Sequence, residues 1–313
     1  MKILIMGAGA LGTTIGGFLA KAQSCGVKAH DVTLVGREKY MTEIEKHGLK
    51  ITGIWGEHQI GDLKTATDTK NLKPEYDLIL LTTKAFDTEV AMEQIKDLVG
   101  NAYVLSLQNG IGNEDIILRY APDPDKVLGG MVIIGFEIKG AGHTSVTVFA
   151  DNIKIGHLDG KFTGELANIV RVFNDAKIPA DAVGNIQQYT WAKALYNAAL
   201  NPLGAILGVN YGKLTNESSW KIIEEIIEEA FNVADAVGID LFWKTPQDYL
   251  NYLRCEQIPA TAQHKPSMLY DLPRGRTEID FLNGALVRFG RELGIETPVN
   301  ETIVNLVKFF EKK

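Results

Sequence analysis

Apolar and polar positions along the first half of the chain alternate between two textures. Residues 2–6 form a short apolar run that stops at Gly7, and a helix-spaced stretch continues from there to about residue 22. Further β-rich runs occupy 32–35, 77–83 (DLILLTT) and 102–107. Short strands that are apolar on both faces and separated by helices predict a parallel sheet covered on both sides. Residues 49–60 mix glycine with β-branched residues and predict a small hairpin excursion. From 127 to 158 the pattern is β-rich again, with Gly140-Ala141-Gly142 as a turn, which predicts an antiparallel extension on the sheet edge.

After about residue 185 the texture changes to helical. Residues 187–207 have the length and spacing of a buried helix. Residues 218–237 are amphipathic, with Ile222, Ile223, Ile226, Ile227 and Phe231 set against Glu224, Glu225, Glu228 and Glu229. Further helices are expected around 246–256, 278–293 and 300–313, and no internal repeat or low-complexity linker interrupts them. The predicted fold class is α/β: a Rossmann-type N-terminal domain with a mainly parallel sheet over 1–185, then an all-helical domain over 186–313.

Composition narrows the function classes. A chain of 313 residues suits two domains, and 45% hydrophobic with 23% charged residues is ordinary for a globular protein. The net charge of −7 argues against a nucleic-acid partner, while leaving room for a local basic pocket. Cys25 and Cys255 are too far apart in sequence to suggest a disulfide framework or a CxxC site, which fits a reducing cytoplasm. Lys2, the following apolar stretch and Ala20-Lys21-Ala22 imitate a signal peptide, but Gly7, Gly9, Gly12, Gly16 and Gly17 stand where such a core carries leucine. The segment therefore reads as strand and turn. No apolar run reaches the ~18 residues of a membrane-spanning helix. The six histidines show no metal-ligand spacing and the glutamate cluster reads as a solvated face, so no metal is expected.

Gly7-Ala8-Gly9-Ala10-Leu11-Gly12 is a GxGxxG directly after a strand and opening a helix. The first glycine permits the tight turn, the second lets a pyrophosphate approach the backbone, and the third allows close helix–strand packing. The helix N-terminus offers N–H groups and a positive dipole end to phosphate. At the end of the second strand an NAD enzyme carries an acidic residue for the ribose hydroxyl; this chain has Val35-Gly36-Arg37. A guanidinium there suits the 2′-phosphate of NADP, the alternative being an ordinary helix-start surface arginine.

A second chemistry-bearing segment is 191–203, WAKALYNAALNPL. Lys193, Asn197 and Asn201 recur at i, i+4 and i+8, one polar stripe on an otherwise apolar helix. Facing a cleft, such a stripe binds and protonates a polar ligand; facing solvent, it is ordinary surface. Trp191, Leu195, Tyr196 and Leu200 around it weigh against full exposure. By itself 108–112 (QNGIG) passes for a turn, and Thr277 for a helix cap with Glu278 and Asp280 near the positive end. TTKA at 82–85 ends a strand on the edge where such sheets bind ligands.

Taken together, GAGALG at 7–12, TTKAF at 82–86, QNGIG at 108–112, WAKALYNAALNPL at 191–203 and SMLYDLPRGRTEIDFLNG at 267–284 resemble the ketopantoate reductases over essentially the whole chain. The resemblance implies NADPH-dependent reduction of 2-dehydropantoate (ketopantoate) to (R)-pantoate, in pantothenate and coenzyme A biosynthesis. It implies Lys193 as proton donor, with Asn197, Asn201 and Ser267 as substrate ligands. It further implies Asn109 and Lys84 as groups near the nicotinamide end, and Glu278 as a carboxylate shared by cofactor and catalytic centre. The expected partner is a small-molecule 2-keto acid, with no nucleic acid and no membrane, and the helical second domain admits a homodimer. His264, Tyr270 and Tyr211 depart from the family pattern at positions concerned with substrate shape. The alternatives are a reductase of another 2-keto acid yielding a D-2-hydroxy acid, or a non-catalytic NADP(H) sensor, against which the retained Lys193, Asn197 and Glu278 argue.

Overall fold

The computed structural model describes residues 1–24 and 27–313, so Cys25 lies outside the described residues. The chain divides into two compact units: Met1–Gln108 with Asn113–Ile186, and Asn109–Gly112 with Gln187–Lys313. The short segment Asn109–Gly112 thus belongs with the helices that follow much later in sequence.

The first unit carries strands β1 (Lys2–Met6), β2 (Gln23–Ser24), β3 (Val27–Lys28), β4 (Asp31–Val35), β5 (Leu49–Gly53), β6 (His58–Ile60), β7 (Lys64–Ala66) and β8 (Leu78–Leu81). These are followed by β9 (Tyr103–Ser106), β10 (Val127–Met131), β11 (Ile134–Gly140), β12 (His143–Phe149), β13 (Ile153–His157) and β14 (Ala180–Ala182). Its helices are α1 (Ala10–Lys21), α2 (Glu38–His47), α3 (Thr88–Val99), α4 (Asn113–Leu118) and α5 (Gly164–Asp175). The main sheet runs β14-β13-β10-β9-β8-β1-β4-β7. From β10 to β7 every pair is parallel. The strand order reverses at β1, as in dinucleotide-binding sheets, and such sheets take ligands at the carboxyl ends of their strands. Residues 3–5 and 78–81 are fully buried, as continuous apolar strands covered on both faces must be.

The expected antiparallel extension is only partly what forms. β13 pairs antiparallel to β10, but β11 and β12 leave the main sheet and join the β5–β6 hairpin in a second sheet, β11-β12-β5-β6. The physical reason lies in α1. A side chain at Gly16 would strike Leu34 and Ile5 of the main sheet, and one at Gly17 would strike Leu49, Ile51 and Ile60 of the second. The glycine pair lets a sheet approach each face of the helix, and the Thr14 and Thr144 hydroxyls join across the second contact at 2.8 Å.

The second unit is helical: α6 (Ile186–Leu207), α7 (Glu217–Val237), α8 (Pro246–Tyr252), a π-helical turn (Leu253–Gln257), α9 (Ile258–Thr261), α10 (Met268–Asp271), α11 (Asn283–Leu293) and α12 (Pro298–Glu311). α6 contributes Ala194, Leu195, Ala198, Ala199, Leu200 and Leu203 to the core. α7 buries Ile223, Ile226, Ile227, Ala230 and Phe231, begins at an Asn216 side-chain cap and ends at left-handed Gly238. Two expectations are corrected. The helix foreseen at 278–293 starts only at Asn283, because a 3-10 turn, Ile279–Phe281, precedes it. Glu229 is buried rather than solvated: its carboxylate accepts the backbone N–H groups of Val299 (2.8 Å) and Asn300 (2.9 Å), which Pro298 leaves at the open start of α12.

Candidate functional site

In the first unit the glycine-rich turn has the local geometry its spacing requires. Gly7 has φ +107, and the N–H groups of Gly7 and Ala8 both reach the Val35 carbonyl, at 3.1 and 2.9 Å. Gly12 packs so tightly that an added Cβ would lie 2.5 Å from the Gly7 carbonyl oxygen and 2.3 Å from Thr82 Oγ1. Gly9 differs: the nearest atom to an added Cβ is the Gly7 oxygen at 4.0 Å. The backbone there faces open space, beside the first-turn N–H groups of α1, which have no intrahelical acceptor. A phosphate-bearing dinucleotide fits this arrangement, in which Ala8, Ala10 and Leu11 complete the turn. Arg37 follows the carboxyl end of β4, adjacent to β1, and is exposed, its guanidinium lying 5.2 Å from the centre of the Tyr40 ring. Lys84 is exposed at the end of the β8 segment, ahead of a short 3-10 turn.

Behind this edge lies a buried polar group to whose residues the sequence reading gave no individual role. Gln108 Nε2 donates to the Thr88 hydroxyl at 2.8 Å and to the Thr83 carbonyl at 3.1 Å. Thr88 donates in turn to the Ala85 carbonyl at 2.7 Å, and Thr82 donates to the Gly7 carbonyl at 2.8 Å. These bonds tie the ends of β1, β8 and β9 together. Burial pushes the neighbouring Glu114 carboxyl up to about 7, against the opposing pull of its own backbone N–H and of Ser106. A glutamine directly before Asn-Gly was the available sign, since a turn of that type has no need of it.

The second unit gathers residues distant in sequence. Lys193 Nζ donates to Asn109 Oδ1 at 2.6 Å, and Asn109 Nδ2 lies 3.5 Å from Glu278 Oε2. The Asn109 amide thus stands between an ammonium and a carboxylate. Lys193 is half-buried; burial pulls its pKa down to about 8, with the Glu278 charge opposing. Asn109 is held there by its neighbour: Ile111 N–H bonds the Phe281 carbonyl at 3.0 Å, and a Cβ on Gly110, at φ +88, would lie 2.3 Å from that same oxygen. Glycine is therefore required for the segment to reach the Glu278 turn.

One and two turns along α6, the stripe continues. Asn201 is buried and doubly anchored: its Nδ2 donates to Ser267 Oγ at 2.9 Å and its Oδ1 accepts Met268 N–H at 3.0 Å. Asn197 is half-buried between Lys193 and Asn201, and among the described residues its side-chain amide makes no hydrogen bond. Lys193, Asn109, Glu278, Asn201 and Ser267 therefore lie in one unit, with Asn197 on the stripe between them. Tyr211 is buried in the core against Tyr196, ring centres 5.6 Å apart, whereas the His264 and Tyr270 side chains are exposed.

Pro202 lies inside α6 and has no N–H for the Ala198 carbonyl one turn back. That carbonyl instead accepts Asn283 Nδ2 at 3.1 Å, and Asn283 leads on to Asn300 (2.9 Å) and from there to Glu229 (2.7 Å). The polar stripe is thereby fastened to α11, α12 and α7. Asn283 was not foreseen as part of the site; a proline inside a helix is the sign that some other donor must serve the orphaned carbonyl.

Comparison with known proteins agrees with this architecture. The ketopantoate reductase PanE/ApbA model matches residues 3–160, and the ketopantoate reductase PanE/ApbA C-terminal model matches residues 185–311. The chain belongs to the ketopantoate reductase family. It is 37% identical to the 2-dehydropantoate 2-reductase of Aquifex aeolicus, over 98% of this chain and 96% of that protein. Among solved structures it is similar to a PanE/ApbA family ketopantoate reductase from Ralstonia eutropha, with TM-score 0.87 and 32% identity over 100% of this chain and 99% of that one. D-mandelate dehydrogenase, solved with NADH and anilino(oxo)acetate, matches with TM-score 0.86 and 28% identity over the same shares of the two chains.

Proposed function

We propose that the protein reduces 2-dehydropantoate to (R)-pantoate with NADPH, a step of pantothenate and coenzyme A biosynthesis. The observation that carries the reading is the triad in the second unit: an ammonium with a pKa near 8, an amide 2.6 Å from it and a carboxylate beyond the amide, on a family scaffold. In this reading residues 1–185 hold the cofactor through Gly7–Gly12, Arg37 and Lys84, and Asn109 and Glu278 are further residues assigned to it. Residues 186–313 carry the substrate and the proton donor. When bound, the reduced nicotinamide supplies the hydride that adds to the C2 ketone carbon.

Lys193 then acts as general acid. As hydride adds, the carbonyl electron pair moves to oxygen, and the Lys193 ammonium gives that oxygen its proton, leaving a hydroxyl and a neutral amine. A pKa near 8 keeps the amine mostly protonated at neutral pH while making it a better acid than an exposed lysine. Asn109 and Glu278 orient the ammonium. The Asn197 side-chain amide, unbonded among the described residues, is suited to a substrate oxygen, and Ser267, whose hydroxyl proton is not committed by the bond from Asn201, is suited to the carboxylate.

A second reading, reduction of another 2-keto acid to a D-2-hydroxy acid, draws on the likeness to D-mandelate dehydrogenase. Steady-state rates with ketopantoate, phenylpyruvate and branched 2-keto acids separate the two: kcat/KM is expected to be highest for ketopantoate with NADPH. A higher value for phenylpyruvate would favour the second reading. No helix among the described residues is long and apolar enough to cross a membrane. The cytoplasm follows from the proposed reaction. A homodimer is inferred from Leu306 and Phe309, exposed on α12, and light scattering of the same preparation is expected to give twice 34.4 kDa.

A further inference from the structure

We propose that the last turn of α12 is a positioning element for Glu278, with Glu311 as its central residue. The proposal rests on the reading of Lys193 and Glu278 given above. Glu278 belongs to no regular element: it follows Thr277 and precedes the 3-10 turn Ile279–Phe281, a few residues after left-handed Gly275. Its carbonyl accepts the Phe281 N–H at 3.0 Å within the turn, and both flanks of the turn are tied to one turn of α12. One oxygen of the Glu311 carboxylate accepts the Thr277 backbone N–H and the Thr277 hydroxyl, each at 2.7 Å. The Lys308 ammonium reaches the Asp280 carboxylate at 2.5 Å and Glu311 at 3.1 Å. The residue before Glu278 and the residue two after it are therefore gripped from the same side. Thr277 also accepts the Ile279 N–H at 3.2 Å, which closes the turn between the two grips.

An ordinary i,i+3 surface pair at a helix end is the competing explanation for Lys308 and Glu311, and such pairs contribute little. Three features set this one apart. The Glu311 side chain is only 9% exposed and Thr277 only 1%. Glu311 accepts a backbone N–H from a residue 34 positions earlier, a bond that no local helix interaction provides. It is also an acid in the last turn of a helix, where the dipole disfavours negative charge. Burial works to raise the Glu311 carboxyl, yet the bonds from Thr277 and the contact with Lys308 hold it below the usual range, so it is charged at neutral pH. The charged groups at this grip are Glu311, Lys308 and Asp280; the charge acting on Lys193 is that of Glu278.

The test reads both turnover and the charge state of Lys193 in the full chain. Glu311→Ala is expected to lower kcat by about 10- to 100-fold, the usual cost of a small misplacement. Glu311→Gln, which still accepts from Thr277, is expected to recover most of the rate. Lys193 is titrated separately by NMR of 13Cε-lysine protein, its signal assigned by loss in Lys193→Ala. Loosening Glu278 removes a charge that favours the ammonium, so Glu311→Ala is expected to move that titration to lower pH by about half a unit or more. A purely structural role would lower melting temperature and leave the titration in place. Should Glu311→Ala fail to fold, Thr277→Val removes the hydroxyl half of the grip and is expected to shift the titration in the same direction. An unmoved Lys193 titration in the folded variant overturns the proposal. A wild-type protein without reductase activity overturns the functional reading alone, since the titration decides the positioning claim without turnover.

Discussion

The glycine-rich edge of the first unit and the lysine-bearing face of the second build sites by opposite means. Around Gly7–Gly12 the recognition elements are backbone: a turn closed on the Val35 carbonyl, an open approach at Gly9 and the first N–H groups of α1. Six consecutive residues supply nearly all of it. Around Lys193 the functional groups are side chains, and they come from residues 109, 193, 201, 267 and 278. A backbone site is insensitive to side-chain identity except where a side chain would obstruct it. A side-chain site depends on each functional group and on whatever aims it. The first tolerates most substitutions and the second few.

That contrast is most strongly tested at Lys193. Lys193→Ala is expected to lower kcat by about 10²–10⁴-fold with NADPH binding preserved. Lys193→Arg is not expected to restore the rate, because guanidinium does not release its proton. In the wild type, kcat is expected to hold at neutral pH and fall as pH rises through about 8, where the ammonium is lost. A folded Lys193→Ala enzyme with near-normal kcat would sink the mechanism.

A smaller effect is expected at Arg37, the one side chain on which the backbone site would depend for its choice of cofactor. Its removal should weaken NADPH about tenfold or more, in line with roughly 1.5–3 kcal/mol for a charge-assisted bond. NADH binding should barely change; equal losses for the two cofactors would deny Arg37 this role. The smallest effects separate two glycines of one motif. Gly12→Ala forces a Cβ against the Gly7 oxygen and Thr82 and is expected to cost about 1–3 kcal/mol of stability, read by denaturant unfolding. Gly9→Ala meets nothing closer than 4.0 Å, so it should leave stability unchanged and weaken NADPH only. Equal loss of stability in the two variants would contradict the division between packing and access.

Much of this was legible in the chain. The apolar runs predicted the parallel strands, the 3.6-residue spacing predicted α6 and α7, and the GxGxxG spacing carried its own geometry because a tight turn is decided by neighbours in sequence. The stripe Lys193, Asn197 and Asn201 was visible as helical spacing alone. What it faced was not, because Asn109 and Glu278 are 84 and 85 residues away on either side.

The sequence by itself determined most of the elements, the glycine-rich turn and the family, which rest on short-range patterns. Only the tertiary structure decided that β11 and β12 leave the main sheet to cover α1, since the packing on Gly16 and Gly17 involves partners scattered over the chain. It alone showed Glu229 turned inward to cap α12, although its spacing matches that of its solvated neighbours. It alone matched the Ala198 carbonyl, orphaned by Pro202, with Asn283. The reason is common to all three: a buried polar group must find a partner wherever the fold brings one, and periodicity records which face of an element is apolar without recording what that face meets.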